Sequence, residues 1–154
     1  MTRRTIIELS AQPFDADAIA AAFRQGIEEA GAVVTFLGQV SREEVDNPVT
    51  ALHLDHKPEA TLASIERIAD NAEARWPLLK SCIIHRVGTV QIGQPIVFVG
   101  CAARHRRDAF EAADYLMDFL KSDVLLWKKE IRGETADWIE PRQQDYTDKK
   151  RWES

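Results

Sequence analysis

Residues 104–129 read RHRRDAFEAADYLMDFLKSDVLLWKK. In the first part of this stretch, alanine and leucine side chains recur every three or four positions and form one packing stripe, which predicts a helix over Arg107–Lys121. The apolar run that follows predicts a strand over Val124–Ile131. The stretch therefore combines an amphipathic helix with an apolar strand.

Working outward, short runs rich in β-branched residues predict six further strands: Thr5–Leu9, Ala32–Val40, Val49–His56, Ser81–Val87, Gln94–Ala103 and Ala136–Ile139. One further helix is predicted from the N-cap Asp15 to about Ala30, and another over Thr61–Trp76, where Pro77 ends it. Gly38 indicates either a bulge or a close approach of the backbone, and Gly133 indicates a turn. Because strands arrive in adjacent pairs between helices, the order favours an α+β fold, with a mixed or antiparallel sheet and packed helices.

The length of 154 residues, or 17.4 kDa, is typical of one domain. We assign residues 1–142 to it. Residues 143–154 are polar, and we expect a loosely held C-terminal tail in which only Trp152 is anchored.

Composition excludes several classes of protein. Hydrophobic residues make up 45% and charged residues 29% of the chain, which argues against disorder. No apolar run approaches the length of a membrane-spanning helix, the N-terminus does not resemble a signal peptide, and Cys82 and Cys101 lie in apolar runs typical of buried thiols. These observations predict a cytoplasmic protein. No metal site is predicted, because no metal-ligand spacing is present.

The net charge of −5 argues against a protein that binds duplex nucleic acid. Basic residues nevertheless cluster at 104–107, 128–129 and 149–151. Such clusters on an acidic chain indicate a small anionic ligand or the anionic end of a peptide.

Two lysines are candidates for chemistry. Lys121 ends the predicted helix, where the helix dipole alone would favour a cation. The second candidate is one of Lys128 and Lys129, which lie on opposite faces of the apolar strand; a lysine there is either a guard against edge pairing or a site residue whose pKa is lowered by burial. The sequence leaves both interpretations open.

His105 and Arg106 lie where the helix begins, and backbone N–H groups there attract anions. A helix from Arg107 to Lys121 is about 22 Å long, so one small ligand cannot easily contact both of its ends. If both ends serve one site, two chains must build it.

Seven segments together resemble the large, catalytic subunit of molybdopterin synthase: GAVVTFLGQV (31–40), EARWP (73–77), HRVG (85–88), IVFVG (96–100), RHRRDAF (104–110), YLMDFLK (115–121) and WKKE (127–130). The resemblance runs from about Gly31 to Arg142. It implies an α+β fold with a hammerhead-like subdomain. It also implies a homodimer that binds two small ubiquitin-like sulfur-carrier subunits, giving a heterotetramer.

The implied activity is sulfur transfer from the thiocarboxylate of the carrier's C-terminal Gly-Gly tail to cyclic pyranopterin monophosphate, which makes the dithiolene of molybdopterin. No metal or cofactor is implied for this step. Lys121 and Lys128 match the family's two important lysines, and Phe36 and Met117 match walls of the tail pocket. Three further matches are residues that hold the substrate phosphate from the other large subunit: His105, Arg106 and Arg142.

The chain departs from the family pattern at two places. Ser41 stands where an arginine is usual. There are two alternatives for Arg42, one position later. Either Arg42 replaces that arginine as a substrate-binding residue, or the chain has no arginine for this role. The family's proline two residues before the tryptophan of its Trp-Lys pair is absent before Trp127, which indicates a different start to the strand.

Two rival functions remain at this stage. A non-catalytic dimeric scaffold could bind a ubiquitin-like Gly-Gly tail without using the lysines. A binder of single-stranded nucleic acid could use the basic clusters, with Trp127 and Trp138 as stacking platforms, but the acidic net charge argues against it.

Overall fold

The computed structural model describes residues 4–153, which form four helices and two four-stranded sheets. The elements are β1 (Thr5–Ser10), α1 (Ala16–Phe23), β2 (Ala32–Gln39), β3 (Ala51–His56), α2 (Pro58–Arg75), β4 (Leu78–Arg86), β5 (Gly88–Gln91), β6 (Pro95–Ala103), α3 (Arg106–Ser122), β7 (Leu126–Arg132), β8 (Thr135–Ile139) and α4 (Gln143–Lys150). The predicted α+β class, with mixed and antiparallel sheets, is confirmed. No helix within residues 4–153 is long and apolar enough to cross a membrane.

The first sheet has the order β1-β4-β6-β2 and is mixed, because β1 runs parallel to β4 while the other pairs are antiparallel. Helices α2 and α3 pack on one face, around the fully buried Ile83, Val99 and Leu116. The other face is covered by α1 through Phe23. The predicted bulge is confirmed, since the pairing of β2 with β6 shifts between Gly38 and Gln39.

The second sheet has the order β5-β3-β7-β8 and is antiparallel throughout. Its central strand β7 places Lys128 opposite Leu54 of β3 and Ile139 of β8. The predicted turn at Gly133 joins β7 to β8, and the glycine adopts a φ of +60° that other residues rarely take.

The first helix begins as predicted but is shorter. The Asp15 carboxylate caps α1 as expected, accepting from the N–H groups of Asp17 and Ala18. The helix ends at Phe23 and not near Ala30, because Gly26 turns the chain with a φ of +71°.

Two elements differ from the prediction altogether. The connection from Gly88 to Gly93 contains the short strand β5, which exists through its pairing with β3. Residues 143–153 are not a loose tail, because α4 packs against α3; the last residue of the predicted tail lies outside the described residues. The polar sequence of α4 concealed it, since no residue of this helix is buried.

Ion pairs and one tryptophan hold the C-terminal segment in place. Arg151 contacts Asp118 at 2.6 Å, and Lys149 contacts Asp123 at 2.7 Å. The Trp152 ring packs edge-on against Trp76 and Tyr115, with centroid distances of 5.6 and 5.5 Å. Its Nε1–H donates to Asp118 at 2.6 Å.

We expect Trp152→Ala to lower the free energy of unfolding by about 2–3 kcal/mol, because it removes an aromatic cluster and a hydrogen bond together. The matched control is Trp138→Ala, whose ring is 57% exposed and whose loss should cost under about 1 kcal/mol. Urea denaturation of both variants measures the difference. Equal losses would contradict an anchoring role for Trp152.

Candidate active site

A pocket of about 240 Å³ opens where the C-terminal end of α3, strand β7 and the start of α4 meet. Lys121 and Lys128 both line it, so the structure brings the two predicted catalytic lysines to one site. Apolar side chains form much of its wall, among them Leu52, Leu120 and Leu126. Two amines beside an apolar wall form a site suited to an anionic or carbonyl-bearing group.

The two lysines differ in environment. Lys121 is exposed near the end of α3, whereas Lys128 is half-buried on the second sheet. Burial, and then the positive charge of Lys121, lower the pKa of Lys128 to about 8, against a smaller opposing effect of Asp145. Near neutral pH, Lys128 can therefore both donate and accept a proton.

Residues around the start of α4 complete the pocket. Arg142 lines it beside the lysines of its own chain, whereas the resemblance implied that it reaches the site from the other subunit. The reason is local: β8 ends at Ile139, and α4 begins directly after Arg142, at the mouth of the pocket. Asp145 accepts a hydrogen bond from the Arg142 N–H at 3.0 Å and so closes the first turn of α4.

Glu130 also lines the pocket, on the same face of β7 as Lys128. Arg132 contacts Glu130 at 3.5 Å and also Glu43 at 3.5 Å. Arg132 therefore offsets only part of the negative charge of Glu130. Glu140 and Asp145 also line the pocket, beside the lysines.

A smaller cavity lies deeper, between the same two lysines and the first sheet. It is lined by Met117, one helical turn before Lys121, and by His85 of β4. Met117 was predicted for the pocket wall, and it lies beside both lysines here. His85 lies in the strand predicted over Ser81–Val87, where it was given no site role, but it is 5% exposed and lines this cavity. No local pattern singles it out, because every residue from Ser81 to Arg86 is buried, on both faces of the strand.

His105 and Arg106 lie elsewhere in the chain. With Gly31, Arg104 and Arg107 they line a separate pocket at the start of α3. The 17 residues of α3 separate that pocket from Lys121 by roughly 25 Å at 1.5 Å per residue. One chain alone does not bring the two basic groups together.

Two further predicted site residues lie outside both basic pockets. Phe36 is 41% exposed on β2, and Arg42 is exposed in the loop that follows this strand. Trp127 and Trp138 lie on the face of the second sheet opposite Lys128, where Lys129 rests 4.4 Å from the Trp138 ring centroid. Among residues 4–153, no three His, Cys, Asp or Glu side chains cluster so as to hold a metal ion.

The mixed sheet, the antiparallel sheet and the paired-lysine pocket together define an α+β protein with a partly apolar pocket that carries two amines. Comparison with known proteins gives the family. The family described as MoaE protein matches residues 9–123. Over 148 residues, the chain is 47% identical to the molybdopterin synthase catalytic subunit of Caulobacter vibrioides, covering 96% of this chain and 97% of that one. The chain therefore belongs to the MoaE family of molybdopterin synthase catalytic subunits, as its sequence segments indicated.

Solved structures agree with this assignment. The molybdopterin biosynthesis MoaE protein of Burkholderia ambifaria superposes with a TM-score of 0.81 at 34% identity, covering 97% of this chain and 99% of that one. A protein–protein complex of subunits 1 and 2 of molybdopterin-converting factor from Helicobacter pylori matches with a TM-score of 0.75 at 20% identity, covering 88% of this chain and 91% of that one. At that identity the likeness concerns the fold alone.

We expect Lys128→Met to raise the free energy of unfolding by about 2 kcal/mol at neutral pH, because it removes a buried charge whose pKa is lowered. The folded protein binds fewer protons than the unfolded chain between the folded pKa of about 8 and the ordinary value of 10.5. The wild-type protein therefore gains stability as pH rises through this window, and the advantage of the variant shrinks there.

Urea denaturation at several pH values measures this effect. The control is Lys129→Met, which removes the neighbouring lysine from the opposite face and should give no such gain. If Lys128→Met is less stable than the wild-type protein at neutral pH, burial does not disfavour the charged form of Lys128.

Proposed function

We propose that this chain transfers sulfur from the C-terminal thiocarboxylate of a small ubiquitin-like carrier to cyclic pyranopterin monophosphate, forming the dithiolene of molybdopterin. The observation that carries the proposal is the pocket that both the exposed Lys121 and the half-buried Lys128 line. Family membership supplies the reaction class, and this geometry supplies the groups that would perform it.

The lysines have distinct roles in the proposal. Lys121, exposed at the helix end, contacts the terminal acyl group of the carrier tail and stabilises the negative charge that develops on its oxygen. Lys128, with a pKa of about 8, moves protons to and from the reacting groups. Met117 and the leucines of the wall give the site apolar surroundings, which strengthens both effects.

The partner is inferred from pocket chemistry and from the relatives. The Helicobacter pylori structure is a complex of two subunits of molybdopterin-converting factor. An extended C-terminal tail ending in a thiocarboxylate offers one negative charge and little bulk, which suits a pocket of about 240 Å³ with two amines. The two cysteines of this chain are free and buried, in keeping with a cytoplasmic location for the reaction.

A homodimer is part of the proposal because α3 keeps the two basic pockets apart within one chain. His105 and Arg106 of one subunit bind the substrate phosphate beside the lysine pocket of the other. A phosphate at the start of α3 gains the free backbone N–H groups there and two basic side chains. Two large and two small subunits then form the heterotetramer.

We expect Lys121→Ala and Lys128→Ala each to reduce dithiolene formation by about 100-fold or more, because each removes a charge-stabilising or proton-transferring group. Single-turnover conversion of cyclic pyranopterin monophosphate with a thiocarboxylated carrier measures the loss, with Lys129→Ala as the matched control. Full turnover by both variants, with carrier binding intact, would favour the scaffold function.

Shared sites predict complementation between two inactive variants. In a mixed dimer of Lys121→Ala and Arg106→Ala chains, one site carries both defects and the other site carries none. Random mixing should therefore restore about a quarter of wild-type activity, since half of the dimers are mixed and each has one intact site of two. No recovery after confirmed subunit exchange would show that each site is built by a single chain.

A further inference from the structure

The deep cavity behind the lysine pocket contains one titratable group to which the proposed function gives no role. His85 is almost fully buried near the end of β4. It lines the cavity together with Lys121 of α3 and Lys128 of β7. The positive charges of both lysines are close enough to lower the pKa of the ring.

The hydrogen bonding of His85 fixes which ring nitrogen carries the proton. Nδ1 lies 2.8 Å from the carbonyl oxygen of Arg86. A carbonyl oxygen only accepts, so Nδ1 donates and Nε2 carries the lone pair in the neutral ring. Burial, and then the positive charges of Lys128 and Lys121, keep the ring neutral by lowering its pKa to about 4, although its bond to Arg86 opposes them.

The free nitrogen faces a space of defined size. Nε2 forms no hydrogen bond with any residue between 4 and 153. The cavity has a volume of about 10 Å³, close to what a single water molecule requires. A water there would have Nε2 as acceptor on one side and the lysine amines on the other.

We propose that His85 is a positioning residue for Lys128, its Nε2 accepting a hydrogen bond from the Lys128 amine through one water held in the deep cavity. This inference rests on the proposed function. A lysine side chain has four rotatable bonds, so an amine without a fixed partner samples several directions. In the relayed hydrogen bond, one N–H group of the Lys128 amine points toward the first sheet. The other N–H groups of the amine then point into the open pocket.

The charged groups around this unit come from three elements. Lys121 of α3 and Lys128 of β7 face the ring, and Asp145 of α4 acts on Lys128 from the other side of the pocket. Because the imidazole is neutral, it can accept a hydrogen bond from the ammonium without repelling it. A hydrogen bond to the charged form of an amine favours that form.

Two substitutions separate the two ring nitrogens. His85→Asn keeps a donor near Nδ1 and removes the acceptor at Nε2, whereas His85→Gln keeps an acceptor near Nε2 and removes the donor. We expect His85→Asn to lower kcat by about 100-fold with little change in KM, as displaced catalytic groups do. We expect His85→Gln to retain most of the activity.

The pH profile gives a readout that a purely structural role would not change. In His85→Asn, the part of the pH–rate profile that reports the pKa of Lys128 should move to lower pH, because the Lys128 ammonium loses a stabilising hydrogen-bond acceptor. In His85→Gln it should stay in place. The opposite order, an active Asn variant and a damaged Gln variant, would show that only the bond to Arg86 matters and would overturn the proposal.

A measurement on the wild-type protein covers the case in which neither variant folds. The ¹⁵N resonance of His85 Nε2 should follow the titration of Lys128 and lose that response in Lys128→Met. An Nε2 resonance that does not shift when Lys128 titrates would overturn the inference. The proposed function fails separately, if Lys128→Ala retains full sulfur transfer.

Discussion

The site depends on an ammonium group held inside a sheet. Lys128 pairs through its backbone with Leu54 on one side and Ile139 on the other, so its direction is set by the ladder of β3, β7 and β8. Desolvation raises the free energy of the charged form, and the fold offsets this cost with the apolar packing of the surrounding elements. The same desolvation lowers the pKa of Lys128 to about 8, so its ammonium loses a proton more easily than that of an ordinary lysine.

The C-terminal segment connects the pocket around Lys128 to the protein core. Trp152 and Arg151 attach the end of α4 to α3, while Arg142 and Asp145, at its start, line the pocket. The aromatic contacts of Trp152 with Trp76 and Tyr115 lie at the far end of the helix from the lysines. The pocket wall therefore depends on packing one helix length away from it.

Local sequence signals predicted most of the scaffold. The apolar runs of β4 and β6, the stripe of α3, the bulge at Gly38 and the stop at Pro77 each follow from neighbours along the chain. Elements defined by distant partners were not predictable in this way. Strand β5 has four residues and needs β3 beside it, and α4 is held by aspartates more than 20 positions earlier.

The same distinction applies to the site. Lys121 was a candidate because it ends a helix, but only the resemblance distinguished Lys128 from Lys129 in the strand and paired it with Lys121. The position of His85 required knowing which face of β4 meets α3, and that of Arg142 required the path of the chain after β8. Neither the packing face of β4 nor the path of the chain after β8 can be predicted from a short segment of sequence.

The polar character of α4 has a consequence for how the molecule opens. Its attachment combines ion pairs of 2.6–2.7 Å with a single aromatic anchor, whereas the sheets are held by fully buried side chains. Ionic strength screens the former and hardly touches the latter. Raising the ionic strength should therefore loosen α4 before it affects the β-scaffold, so that salt acts first on the residues at the mouth of the pocket.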